Sequence, residues 1–310
     1  MNIIITGCLG HIGSYLIKNI DKIKKIKKVY LIDNISNNKI TALSCLKKSK
    51  LKKFFIYDDL SKPNDLFNIK NVDSIIHLAS ITDAQQSISK KKDYIKNNLG
   101  SFENIIKYCK KNKSKLIHIS STSVYGDPNK IVDEESKFLI PQSPYAAIKL
   151  KEEKILKNLN NKIEYISLRF GTIAGVSPGM RFHTAVNKFC LNTILGSPIP
   201  VWKTALNQYR PYLSLNDAFK TFKFILDKDF FPNETFNILS ENKTVKNILN
   251  DIKNNGYRPK TNLTESPIMN QLSYKVQKDK IEKYGLKLRS KIENDIKQTL
   301  NLFNNLNYDK

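Results

Sequence analysis

Residues 1–20 read MNIIITGCLGHIGSYLIKNI. A short β-branched run, Asn2–Thr6, passes into glycines at 7, 10 and 13, and then into a stretch where Ile12, Leu16 and Ile20 recur every four residues on one face of a helix. Glycines at this spacing punctuate many loops. Between a strand and a helix they make a turn whose backbone N–H groups and positive helix end meet a pyrophosphate, while Gly13 lets helix and strand pack closely. About 20 residues further on, the second strand ends in YLIDN, which puts Asp33 where a carboxylate bonds an adenosine ribose diol and repels a 2′-phosphate. The pattern predicts NAD rather than NADP, held by Gly7, Gly10, His11, Ile12, Gly13, Asp33 and Asn34.

Apolar runs of the same kind recur at Val29–Asp33, Phe54–Tyr57, Ser74–Leu78, Leu116–Ser120 and Tyr165–Arg169. Such runs read as buried parallel strands, and most intervals between them are long enough for crossover helices. After Gly171 the alternation gives way to GTIAGVSPGMRF, LGSPIPVW and NQYRPYLSLNDAF, with a late helical segment at Ser290–Leu302. The expected fold is α/β: a Rossmann doubly wound parallel sheet over residues 1–170, then a smaller C-terminal α/β domain over 171–310. The second is expected mainly to bind substrate, with interleaving of the two left open.

Composition bounds the partners. The chain has 310 residues, 40% of them hydrophobic, and a formal net charge of +24. Its lysines recur in nearly every block with Ile and Leu between them, as in DKIKKIKKVY and LKKSKLKKFF, and Arg is scarce. This is the pattern of solvated helix faces, so nucleic acid is not the expected partner, although a pull on anionic substrates is. No run approaches the roughly 20 apolar residues of a membrane span, and the first strand lacks a signal peptide's basic region, so the expected location is cytoplasmic. Cys8, Cys45, Cys109 and Cys190 lie far apart with no CxxC pair and no histidine cluster, which predicts free thiols and no metal.

Later strand ends carry the next signals, since open α/β sheets bind ligands at the carboxyl ends of their strands. YDDL places Asp59 and Leu60 near an adenine, and IIHLAS places Leu78, Ala79 and Ser80 near a nicotinamide ribose. HISSTSVYG follows the fifth strand, and SPYAAIK follows it in turn, with Tyr145 and Lys149 four apart and so stacked on one helix face. A free tyrosine has a pKa of about 10, and lowering it by about 3 units corresponds to roughly 4 kcal/mol, within reach of a nearby ammonium and an oxidised nicotinamide. Tyr145 would then take the proton of a substrate alcohol while Ser121 orients the same oxygen.

TGCLGHIG, HLAS, NNLGS, SSTSVYG, PYAAIK and LRFGTIAG, in this order, resemble the TGxxGxxG, HLAA, NVxGT, SSxxVYG, YxxxK and LRxxNxYG segments of the extended short-chain dehydrogenase/reductases, the NAD-dependent nucleotide-sugar epimerases and dehydratases. The resemblance spans about residues 1–220. It implies tightly held NAD, a nucleoside diphosphate sugar as substrate, a homodimer, and a part in carbohydrate metabolism such as polysaccharide biosynthesis. By resemblance Ser121, Tyr145 and Lys149 form the catalytic triad, Asn97 sits on the family's helix-positioning Asn, and Arg210 of NQYRPYLSLNDA binds the diphosphate. The family's dehydratases carry Asp-Glu where this chain has Thr122 and Ser123, so elimination of water is not expected. Epimerisation, most simply at C4 through a transient keto-sugar, needs no such pair. A 4-ketoreductase, a dehydrogenase and a decarboxylase of the same family stay open as alternatives, as does a non-catalytic NAD-binding protein.

Three departures from the family pattern mark the substrate side. Thr172 replaces the family's usual Asn. SPGMRFHTAVNKF brings a polar cluster that includes Arg181, His183 and Asn187, and SPIMNQLSYKV stands where a late Arg is usual, with Gln271 as a polar substitute. Together with Thr82, Thr122, Ser123 and Arg210 these are the candidate substrate contacts.

Overall fold

The structure is a computed structural model and describes residues 1–46, 48–126, 131–159, 161–265 and 273–303. Its centre is a seven-stranded parallel sheet, in the spatial order Glu234–Ile238, Tyr165–Phe170, Lys115–Ser121, Ser74–His77, Asn2–Thr6, Lys28–Asp33, Lys52–Tyr57. Six of these are the runs read from the sequence, each within two residues at either end. Ile3, Ile4 and Ile5 in the middle strand are fully buried, as strands covered on both faces require.

Helices cover the two faces. Leu16 and Ile17 of the His11–Asn19 helix pack in one core with Phe222 and Ile225 of the Leu215–Lys228 helix. Phe102 and Ile105 of the Gly100–Asn112 helix and Leu156 of the Pro144–Lys157 helix fill the other. The order of the strands reverses beside Asn2–Thr6, whose neighbours are the second strand on one side and the fourth on the other. That reversal opens a crevice at the carboxyl ends, where Thr6 stands level with Ile32 and His77.

The smaller unit is built on a three-stranded sheet in the order Glu241–Thr244, Tyr209–Ser214, Thr172–Ala174. The Ala185–Ile194, Val245–Asn254 and Ile292–Asn301 helices close its own core around Val186, Ile248, Ile252, Ile296 and Leu300. Between its strands the chain returns to the large sheet through the Leu215–Lys228 helix and the Glu234–Ile238 strand, so residues beyond 170 contribute to both units. Among the described residues no helix is long and apolar enough to cross a membrane.

Candidate active site

At the reversal, a cleft with about 840 Å³ of empty space runs along the strand ends. Gly7, Leu9 and Gly10 of the glycine turn line it, with Asp33 and Asn34, Asp59 and Leu60, Leu78, Ala79 and Ser80, and Asn97. The turn could be made only by glycine at position 7. Its φ is +63°, and a Cβ there would lie 2.6 Å from the Ala79 nitrogen. At Gly13 a Cβ would lie 2.4 Å from the Gly7 carbonyl oxygen, so the helix can approach the strand this closely only without a side chain. Asp33 ties the turn to the second strand: its carboxylate accepts from the Leu9 N–H at 3.0 Å and the Ile35 N–H at 2.9 Å. Asn97 lies in a π-helical turn, Ile95–Leu99, and donates to Asn98, whose side chain in turn clamps both backbone groups of Ile81. His11 is buried, and its Nε2 pairs with the Gly175 carbonyl rather than facing the cleft; burial, with Arg181 nearby, lowers its pKa to about 3.

A loop from the second half straps this turn. Ser177 donates to the His11 carbonyl at 2.8 Å, Ser14 donates to Ser177 at 3.1 Å, and the Gly179 N–H donates to Ser14 at 2.8 Å. Lys39, at the rim of the cleft, donates to the carbonyls of Gly179 at 2.7 Å and Met180 at 3.0 Å. A Cβ on Gly179 would lie 2.1 Å from the Leu9 carbonyl oxygen, so the strap rests directly on the glycine turn.

Ser121, Tyr145 and Lys149 converge where the fifth strand ends. Ser143 caps the Tyr145 helix by accepting from the Ala146 N–H, with Pro144 in its first turn, and this start sets Tyr145 and Lys149 one turn apart. Lys149 Nζ is 6.0 Å from the centre of the Tyr145 ring. Ser121 Oγ accepts from the Ser123 N–H at 3.2 Å and the Ser123 hydroxyl at 2.8 Å, which leaves its own proton to donate, and it donates toward the Tyr145 oxygen. Burial raises the Tyr145 phenol above its ordinary value, and Lys149 and Arg181 only partly offset this. One reason is Glu152: it accepts from Lys149 Nζ at 2.9 Å and takes up part of that charge. Burial, the largest single effect, would depress Lys149, but Glu152, Tyr145 and Glu153 together outweigh it and raise the ammonium's pKa, while Glu152 itself falls to about 2 despite its burial.

The sequence matches the NAD dependent epimerase/dehydratase family over residues 3–238. The chain belongs to this family. An uncharacterized protein of Methanocaldococcus jannaschii is 32% identical over 79% of this chain and 77% of its own length. A trifunctional UDP-glucose 4,6-dehydratase/UDP-4-keto-6-deoxy-D-glucose 3,5-epimerase/UDP-4-keto-L-rhamnose-reductase of Arabidopsis thaliana is 26% identical over 96% of this chain, and the chain spans about half of it, 46% of its length. Among solved structures, the UDP-N-acetylglucosamine 4-epimerase of Methanobrevibacter ruminantium in complex with UDP-N-acetylmuramic acid superposes with a TM-score of 0.83, 26% identity and 97% coverage of both chains.

Membership in the epimerase/dehydratase family makes the cofactor NAD, and the cleft fits it. Gly7 and Gly13 leave the bare backbone that a pyrophosphate approaches, and Asp33 presents a carboxylate at the far end. The candidate substrate residues divide. Arg181 donates to the Thr82 hydroxyl, and its charge acts on the Tyr145 phenol, so both lie on the Tyr145 side of the site. Asn187 is fully buried and holds the Arg181 carbonyl at 2.9 Å, which makes it a support for that loop; His183 is exposed. Thr122 is buried and donates to the Phe170 carbonyl, and Thr172 lies in a strand opposite Tyr212. Arg210 stacks over the Tyr274 ring at 5.4 Å, and the Tyr274 hydroxyl donates to the Thr122 carbonyl at 3.2 Å. Gln271 lies outside the described residues. Reading the sequence alone missed Ser14, Lys39, His118, Glu152 and Ser177. Most of the partners that give them a role are remote in the chain: Ser14 with Ser177, Lys39 with Gly179, and Glu152 with His118; the nearer Lys149–Glu152 pair is hidden in KLKEEK.

Proposed function

We propose that the protein is an NAD-dependent epimerase of a nucleoside diphosphate sugar acting at C4. The observation that carries this reading is the convergence, beside the glycine-turn cleft, of Ser121 at the end of the fifth strand with Tyr145 and Lys149 on a helix whose two buried carboxylates are already committed. Glu152 is bound by Lys149 and His118, and Glu153 by Arg169. Thr122 and Ser123 offer no acid or base for elimination. The 4-epimerase activity named for the Methanobrevibacter structure supports the same reading.

NAD, when bound, supplies a reversible hydride acceptor. Tyr145 takes the proton of the sugar C4 hydroxyl, and Ser121, its own oxygen saturated by Ser123, donates to the oxygen that becomes a carbonyl. Epimerisation returns the proton to that same oxygen, so one tyrosine serves both halves of the reaction. Lys149 favours the phenolate, Arg181 and Thr82 face the sugar, and the forked guanidinium of Arg210 suits the diphosphate. The homodimer implied by the family belongs to the same proposal. The test is to incubate the purified protein with a panel of nucleoside diphosphate sugars and read the products by NMR. The reading expects a C4 epimer, NAD that copurifies, and no net change in the reduced-nicotinamide absorbance. A stoichiometric change in that absorbance would replace it with a ketoreductase or dehydrogenase.

A further inference from the structure

The Tyr145 helix presents Tyr145, Lys149 and Glu152 on one face, at i, i+4 and i+7. A Lys–Glu pair three apart on a helix surface contributes little, but here the side chains are only 4% and 1% exposed. Glu152 is also held from outside its helix. The same oxygen, Oε2, accepts from Lys149 Nζ at 2.9 Å and lies 2.9 Å from His118 Nε2 on the fifth strand, and His118 Nδ1 is 2.9 Å from the Ser167 hydroxyl on the next. A proton on His118 Nε2 points at Glu152, while the other ring nitrogen pairs with the Ser167 hydroxyl. The carboxylate is thus fixed by the sheet, independently of the lysine that it binds.

We propose that Glu152 is a positioning residue: braced by His118, it fixes the Lys149 ammonium beside Tyr145 and sets how much of its charge the phenol feels. The inference rests on the reading of Tyr145 as the proton carrier. An ammonium has three protons, and one is spent on Glu152, so two remain for the cofactor ribose or the phenol. Other charged and titratable groups face the pair from every side: Glu153 on the same helix, His77 on the fourth strand, Tyr94 with Asp83 behind it, and Arg181 from the strap. Glu153 is neutralised by Arg169, and burial, then the Lys149 charge, lowers His77 to about 3, so it is uncharged. Glu152 is therefore the carboxylate that bonds Lys149 directly, and unlike Glu153 it is not already neutralised by an arginine.

The sign follows from its charge. A carboxylate opposes loss of the proton shared by the coupled Tyr145–Lys149 pair, so Glu152→Gln, which keeps shape and hydrogen bonding, lets that proton leave at lower pH. In NAD-loaded protein, the tyrosinate absorbance titration, corrected with Tyr145→Phe, is expected to move down by about one pH unit. Glu152→Asp keeps the charge and shortens the reach, so its titration is expected to stay within about 0.3 unit, with kcat about tenfold lower and KM within about twofold. A Glu152→Gln titration within about 0.2 unit of the native one overturns the proposal. Should that variant not fold, Glu152→Asp decides alone, because an unchanged kcat or a full-unit shift overturns it equally. The titration needs no sugar: a shift without turnover would keep the positioning role and reject the epimerase reading, and turnover without a shift would do the reverse.

Discussion

Replacing the glycines of the turn one at a time should separate its two duties. Gly7→Ala places a methyl group 2.6 Å from the Ala79 nitrogen and 2.7 Å from the Leu78 carbonyl carbon at a φ of +63°. Contacts under 3.0 Å are essentially never made, so the first and fourth strands must part by at least 3.0 − 2.6 = 0.4 Å. The left-handed backbone costs about 1–2 kcal/mol for alanine, and forced backbone movement in a packed core about 1–3 kcal/mol, together roughly 2–5 kcal/mol. For a chain of this size that is a fall in Tm of roughly 3–8 °C. Gly10→Ala meets only the Gly7 carbonyl at 3.3 Å, so the fold should keep its Tm within about 2 °C. Its methyl group stands instead where backbone approaches a pyrophosphate, and NAD affinity should drop about 10- to 100-fold. Differential scanning calorimetry and NAD titration of both variants test this. The reasoning fails if Gly7→Ala melts like the native protein, or if Gly10→Ala binds NAD undiminished.

Tyr145→Phe should retain NAD and the native Tm but lose about 10²–10⁴-fold in kcat, measured by NMR on the nucleotide sugar that the protein turns over. Arg169→Met removes the partner of Glu153, which now accepts from Arg169 Nε at 3.0 Å and Nη2 at 2.7 Å; stranding that buried carboxylate should cost about 3–5 kcal/mol, seen as a shift in the urea midpoint. Burial lowers both His11 and His77 to about 3. Their neutral folded forms bind fewer protons than the unfolded chain, so stability is complete above about pH 6.5 and is lost as pH falls toward 3, by about 2 kcal/mol per histidine at pH 5. Thermal melts between pH 8 and pH 5 should show that decline, and a flat profile would refute it. Lys39→Met removes the tie to Gly179 and Met180 and should speed release of NAD about tenfold in a stopped-flow chase, with little change in Tm.

Five of the six strands read from the sequence lie inside the sheet and are nearly unbroken apolar runs, as strands buried on both faces must be; the sixth, Lys52–Tyr57, is an edge strand, half exposed, marked only by its FFIY stretch. Glu234–Ile238 could not be found this way. It reads ETFNI, three of its five residues polar; as one edge of the sheet it pairs, among the described residues, only with Tyr165–Phe170, and it enters after the chain has already left for the smaller unit. Tyr145 and Lys149 were legible from their spacing only in the company of the glycine turn, Asp33 and the SS-containing fifth strand, and the helix sets them one turn apart. Their environment was not: KLKEEK in a chain this rich in lysine looks like one more solvated face, and only folding brings His118, out of a run that reads as plain core, against Glu152.

The strap carries the same lesson further. SPGMRFHTAVNKF stands out in the sequence as a polar cluster, and its polarity points toward a substrate. In the fold its first part, Ser177–Met180, is committed to the glycine turn through bonds that join positions some 140 to 166 residues apart, and only Arg181 beyond it turns to Thr82 and Tyr145. One loop thereby touches the cofactor turn and the reacting end of the site. Its small residues serve the first contact, because Gly179 rests on the Leu9 carbonyl where no side chain fits, and its arginine serves the second. A change in that loop, or in the Asn187 that holds the Arg181 carbonyl, is therefore expected to act on NAD retention and, under the proposed function, on the sugar together, and the two effects are separable only by measuring both.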